Sequence, residues 1–149
     1  MSAHTYHDLI EEAREKFNAG DMEGYVKTVY AENALIHYLP PGLPQGWEGA
    51  KLFYTSFAAA FPDVQLTFDD IITEGDRVAI RYHAVMTHLG EFQGIPPTGK
   101  RVTLAGITIL RFAGGKVVER WSESDFLGML QQLGVIPAPG QGVPSTRKP

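Results

Sequence analysis

The apolar residues of this chain change period once. Before Pro62 they recur at intervals of three and four, and from Val64 onward they recur at every second position. No other feature constrains the fold as much. A chain that is helical in its first part and stranded in its second must lay the helices over one face of the sheet, which gives an α+β domain.

The helical half divides at its turn signals. Leu9, Ile10, Ala13 and Phe17 predict a helix from about Tyr6 to Ala19, with Thr5 as its cap and Gly20 as its end. Asp21 is placed to cap a short second helix that carries Tyr25, Val26, Val29 and Tyr30 inward. Ala34 to Tyr38 reads as a short strand closed by Pro40, Pro41 and Gly42. A third helix follows Gly49, with Phe53, Phe57 and Phe61 on one face and Pro62 as its stop.

In the second half, strands are expected at Gln65 to Ile72, Arg77 to Thr87, Arg101 to Phe112 and Lys116 to Glu123, forming an antiparallel meander. Gly75-Asp76 and Ala113-Gly114-Gly115 are hairpin turn chemistry, and Gly90 to Lys100 is a longer connection. A last helix runs from about Glu123 to Leu133 and ends at Gly134. The space between helices and sheet is where a small-molecule pocket is expected.

The 149 residues suit one domain, read as residues 1–136, followed by a mobile tail rich in Pro and Gly over residues 137–149. A net charge of −4 supplies no basic field for nucleic acid, and the absence of Cys excludes disulfides and thiolate chemistry. The first residues are polar and no run of about 18 apolar residues occurs, so the expectation is a cytoplasmic protein with no membrane partner. The five His have no paired spacing such as His-x-x-x-His, so no metal site is expected.

Alternation assigns faces within strands. Val78, Ile80, Tyr82, Ala84, Met86 and His88 form one apolar set, opposite Arg81 and His83. On the next strand Leu104, Gly106, Thr108, Leu110 and Phe112 oppose Ile107, Ile109 and Arg111, and parity alone leaves the choice of inner face open. Arg111 and Glu119 are expected as a cross-strand ion pair, and Asp69 and Asp70 should point to opposite faces, at least one of them into solvent.

Several ordered motifs carry a family resemblance. They are Phe61-Pro62-Asp63, Gly75-Asp76-Arg77-Val78, Thr87-His88-x-Gly90-x-Phe92-x-Gly94-Ile95-Pro96-Pro97-Thr98-Gly99, and Arg111-Phe112-x-x-Gly115-Lys116-Val117-Val118-Glu119. Asp125-Phe126-x-Gly128-x-x-Gln131-Gln132-Leu133-Gly134 completes the set. Over roughly Leu9 to Gly134 the chain resembles the SnoaL-like polyketide cyclase (ester cyclase) family. The resemblance implies a cone of helices packed on a strongly curved antiparallel sheet around one apolar pocket, often as a homodimer. It implies no cofactor, and it implies intramolecular aldol closure of a small carbonyl-containing polyketide in some members.

That chemistry needs a base that takes a proton α to a carbonyl and a donor that stabilises the enolate. By the resemblance, the family's cyclases carry an acid and a His at the positions of Ser122 and Thr108, so the usual catalytic pair has departed here. Asp125 and His88 are the remaining catalytic candidates. Asp125 also fits a capping box with Ser122 as N-cap, with Trp121 and Phe126 as the staple. His88 ends the apolar face of its strand, where it either meets a ligand carbonyl or orders the following loop. The candidate ligand-binding residues are His37, Phe17, Tyr30, Trp47, Phe53, Tyr82, Met86, Thr108, Trp121 and Ser122. Two readings remain open: a cofactor-independent cyclase or isomerase-like enzyme, and a non-catalytic binding or accessory protein of the same fold.

Overall fold

In the computed structural model, residues 3–137 and Gly140 are described. The order is α1 (Ala3–Asn18), α2 (Met22–Val29), β1 (Tyr30–Ile36), α3 (Gly46–Ala60), β2 (Gln65–Glu74), β3 (Arg77–Thr87), β4 (Arg101–Ala113), β5 (Lys116–Ser124) and α4 (Phe126–Leu133). Apart from Pro137 and Gly140, the expected tail lies outside the described residues.

The strands form one mixed sheet in the order β1-β5-β4-β3-β2, in which β1 runs parallel to β5 and the other pairs are antiparallel. Helices cover its concave face, giving the α+β cone. Tyr6, Ile10, Ala13 and Phe17 of α1 are all buried, at the three- and four-residue spacing of one helix face, and the Tyr6 ring stacks on Phe112 at 4.3 Å. On β4 the inner set is Leu104, Thr108, Leu110 and Phe112, whereas Ile107 and Ile109 are 54% and 39% exposed on the convex side.

Several boundaries move for identifiable reasons. Thr5 lies inside α1, which begins at Ala3. β1 begins at Tyr30, directly after α2, because its backbone pairs with β5 from Val117 onward. α3 starts at Gly46, one turn before the expected Gly49. A bulge between Phe68 and Asp70 returns Phe68 to the pocket and leaves both acidic residues outside, Asp69 on His83 Nδ1 at 2.8 Å and Asp70 on Arg81 Nε at 2.7 Å. The expected opposition of these two side chains is thereby corrected.

A second bulge decides which residues face the pocket. Arg111 pairs with Glu119 and Phe112 with Val117, so Val118 is the extra residue on β5. Val117 stays buried on the concave side, and three residues later Arg120, paired with Leu110, is also concave. Without the extra residue, Val117, Glu119 and Trp121 would share the inner face.

Candidate functional site

A cavity of about 270 Å³ opens between the sheet and α1–α3, at the small end of ligand pockets. Its walls are mainly apolar and aromatic, including Phe17, Phe53, Phe57 and Phe68, and the exposed Pro40, Gln93 and Phe126 border it. Gln93 is held there by the turn between Phe92 and Ile95, where it adopts φ 48°. Gly90 lets this loop close onto α3, since the Leu89 and Gly90 amides both donate to the Ala60 carbonyl at 3.0 Å and a Cβ at Gly90 would meet the Ala59 oxygen at 2.4 Å.

The polar centre of the cavity is Arg120. Its Nε donates to Thr108 Oγ1 at 2.7 Å and to Ser122 Oγ at 2.9 Å. Its Nη1 faces three phenol oxygens, Tyr30 at 2.6 Å, Tyr25 at 3.0 Å and Tyr54 at 3.2 Å. The Tyr38 ring lies against the guanidinium at 4.9 Å, and the Tyr38 hydroxyl hydrogen-bonds Tyr54. Thr108 and Ser122 are paired in register, with hydroxyls 2.6 Å apart, and the Thr108 hydroxyl donates to the Trp121 carbonyl at 2.9 Å. Deeper along the strands Tyr82 hydrogen-bonds Ser124 at 2.5 Å, in room left by Gly106, where a Cβ would stand 2.7 Å from the Tyr82 oxygen.

Electrostatics make this lining one-sided. Burial pushes the Tyr25 phenol well up against the pull of Arg120, and burial likewise raises Tyr38, so both are neutral donors near neutral pH. Burial opposes the charge on Arg120, but the surrounding Tyr30, Tyr38 and Tyr25 oxygens hold its pKa well above the ordinary arginine value. Among the described residues no carboxylate forms an ion pair with Arg120. Among the described residues, the one acidic residue along the cavity is Glu123, exposed and paired with the outward Ile107. Such a lining can stabilise negative charge on an oxygen and holds no buried base.

The structure brings together Phe17, Tyr30, Phe53, Tyr82, Thr108 and Ser122 around this cavity. It does not bring the other candidates there. Asp125 is itself the N-cap of α4, accepting from the Gly128 amide at 2.9 Å, while Ser122 remains in β5, so the capping box with Ser122 as N-cap is corrected. His88 is fully buried beside Phe61, and its Nδ1 accepts from the Thr98 amide at 3.2 Å, so it orders the Gly90–Lys100 loop outside the cavity lining. His37 follows the inward Ile36 and therefore points out, where it stacks on Trp121 and bonds Glu119 at 2.8 Å. Trp121 is outward because of the bulge at Val118, and Arg77 covers its ring at 5.3 Å. Trp47 donates to the Tyr30 carbonyl at 2.7 Å from behind β1, and Met86 is sealed in the core beyond the cavity. The expected Arg111–Glu119 pair is present at 3.0 Å.

Arg120 is not among the residues that the sequence pattern singles out. A signal for it exists, because Ser122 is a pocket candidate and Arg120 lies two residues earlier on the same strand.

The sequence profile described as SnoaL-like polyketide cyclase matches residues 7–133, and the chain belongs to that family. It is 26% identical over 135 residues to the aklanonic acid methyl ester cyclase DnrD of Streptomyces peucetius, covering 85% of this chain and 89% of that protein. AclR from Streptomyces galilaeus has a similar structure, with 34% identity, a TM-score of 0.79 and coverage of 91% of this chain and 100% of that one. Wild-type IdmH from Streptomyces antibioticus is 38% identical at a TM-score of 0.74, over 87% of this chain and 98% of that one. Among the described residues, no helix is long and apolar enough to cross a membrane, and no group of three or more His, Asp or Glu side chains could hold a metal ion.

Proposed function

We propose that this protein takes a small, largely apolar carbonyl compound of polyketide type into the Arg120 cavity and stabilises negative charge on its carbonyl oxygen, without a cofactor. The observation that carries the reading is the convergence of Arg120, Thr108, Ser122 and three tyrosine hydroxyls in an otherwise apolar cavity. Donors aimed at developing oxyanion charge in a water-poor site are a large term in enolate chemistry. The ester-cyclase relatives support the substrate class. The accessory reading also has an observation behind it, namely the lack of a buried carboxylate or His along the cavity among the described residues.

Thermal denaturation with an anthraquinone ester bearing an enolisable ketone tests both readings. Binding at one hundred times Kd should stabilise the fold by about 2.7 kcal/mol, a rise of roughly 5–10 °C in Tm. Deuterium exchange at the carbon α to the ketone, followed by NMR, then separates them. Faster exchange with the protein supports an enzyme, whereas binding with exchange at the solvent rate supports an accessory role.

We further propose a cytoplasmic homodimer joined through the convex face of β3–β5, where Ile107 and Ile109 remain exposed and Val85 is half-buried further along the sheet. Sedimentation should give twice the 16.4 kDa chain mass at micromolar concentration, and Ile107→Lys should return the monomer. A natural protein that sediments only as the monomer would remove this proposal.

A further inference from the structure

We infer that the ligand of this cavity is an organic anion, an apolar cyclic compound whose carboxylate, or ionised enol or phenol, docks on the Nη2 edge of Arg120. The inference deepens the proposed function and rests on it, because it names the charge class of the compound taken up.

A guanidinium offers five N–H donors and no acceptor. In Arg120 the single Nε–H is shared by Thr108 and Ser122, and Nη1 is directed at Tyr25, Tyr30 and Tyr54. Nη2 has no hydrogen-bond partner among the described residues, although Arg120 lines the cavity. Two donors of a charged group are therefore available to a ligand, beside the tyrosine hydroxyls that face Nη1.

The charge balance points the same way. Among the described residues, Arg120 is the one basic residue along the cavity, and the one acidic residue, Glu123, belongs to the outward register of β5. Arg120 is half-buried, and a cation partly removed from water without a counter-ion carries a desolvation cost that hydroxyl dipoles offset only in part. A neutral carbonyl would satisfy Nη2 and leave the charge unbalanced. An anionic oxygen satisfies the donors and neutralises the site. With Nε and Nη1 already engaged and the Tyr38 ring on one face, the open approach is to the Nη2 edge, which suits a single charged oxygen attached to a flat ring.

Calorimetry on the natural protein, Arg120→Met and Arg120→Lys tests this with two pairs of probes. One pair is 2-naphthoic acid and its methyl ester, and the other is a nitronaphthol that ionises near neutral pH and its methyl ether. The acid should bind the natural protein about tenfold or more tighter than its ester, the difference expected of a charged hydrogen bond over a neutral one. Arg120→Lys should keep part of the preference and Arg120→Met should lose it while still binding the ester, which also shows that the variant is folded. Naphthol affinity should rise as pH passes through the naphthol's own pKa in the natural protein and stay flat in Arg120→Met. A response in one pair only identifies carboxylate or enolate as the group recognised. Equal binding of both charged probes and their neutral partners by the natural protein overturns the inference and leaves the carbonyl-pocket reading standing. If the anthraquinone ester and all four probes fail to bind the folded natural protein, the pocket reading falls and the inference with it.

Discussion

Ligand-free Arg120→Met is expected to melt higher than the natural protein, by roughly 4–8 °C. Arg120 holds a charge inside an aromatic cavity, and the groups around it are Thr108, Ser122 and tyrosine hydroxyls rather than a carboxylate. Replacing buried ionic groups by apolar ones of similar volume has stabilised other proteins by about 1–4 kcal/mol. Taking about 2 kcal/mol, and 2–4 °C per kcal/mol for a domain of this size, gives the stated rise. Met is chosen because it is unbranched, adapts to irregular space and brings no hydrogen-bonding requirement to the cavity. The informative outcome is a crossing: the variant melts higher alone, while the natural protein gains more from a saturating anionic ligand. A variant that melts several degrees lower in the absence of ligand would show that Arg120 is held for structure, as the hub of the hydroxyl network. Stability retained below its attainable value at a site that binds is the pattern expected where function and folding compete.

The sequence makes the architecture legible because period is a property of whole segments. β3 has its expected limits, Arg77 to Thr87, and its inner set Val78, Ile80, Ala84, Met86 and His88 is buried. The Phe53, Phe57 and Phe61 row also sits as its spacing requires, with the last two rings 5.0 Å apart. Period cannot supply a local change of phase. One extra residue at Val118 and another at Asp69 each turn the later residues of the strand to the other face, and neither position carries a Gly that would mark it. Trp121 is therefore expected inside and lies outside. Arg120 is easily passed over because a charged residue beside Glu119 near the end of a strand reads as solvent-facing. His88 and Asp125 mislead in another way, since the residue types suited to catalysis are also those that tie loops and cap helices. Only the Thr98 amide on His88 and the Gly128 amide on Asp125 separate the two uses.

Installing an acid at position 122, where the family's cyclases are expected to carry one, should fail by itself and succeed once Arg120 is removed. Ser122 Oγ is 2.9 Å from Arg120 Nε, so the carboxylate of Ser122→Asp would fall within ion-pair distance of a half-buried guanidinium. An adjacent Arg favours the ionised form of a carboxyl and lowers its pKa by about 1–3 units, which makes it a poor acceptor for a proton α to a carbonyl. The new pair should also occupy the charge that an anionic ligand would use. Ser122→Asp is thus expected to raise the Tm, to weaken binding of 2-naphthoic acid by about tenfold or more, and to leave α-proton exchange no faster than in the natural protein. In the double variant Ser122→Asp with Arg120→Met, the carboxyl faces an apolar cavity and neutral phenols, its pKa rises toward neutrality, and it becomes a competent base. Exchange on the anthraquinone ester should then be about 10²- to 10⁴-fold faster than in Arg120→Met, which lacks the same guanidinium, and this is the usual contribution of a positioned general base. Because the two residues touch, the Tm changes of the single variants should not add, and the stability cycle should show an interaction of about 1–3 kcal/mol. Acceleration by Ser122→Asp alone would show that Arg120 does not hold the carboxylate down. A double variant that binds the ester and exchanges no faster would mean that the cavity presents the α-carbon away from β5, and that a base for this pocket has to be sought on α1 to α3.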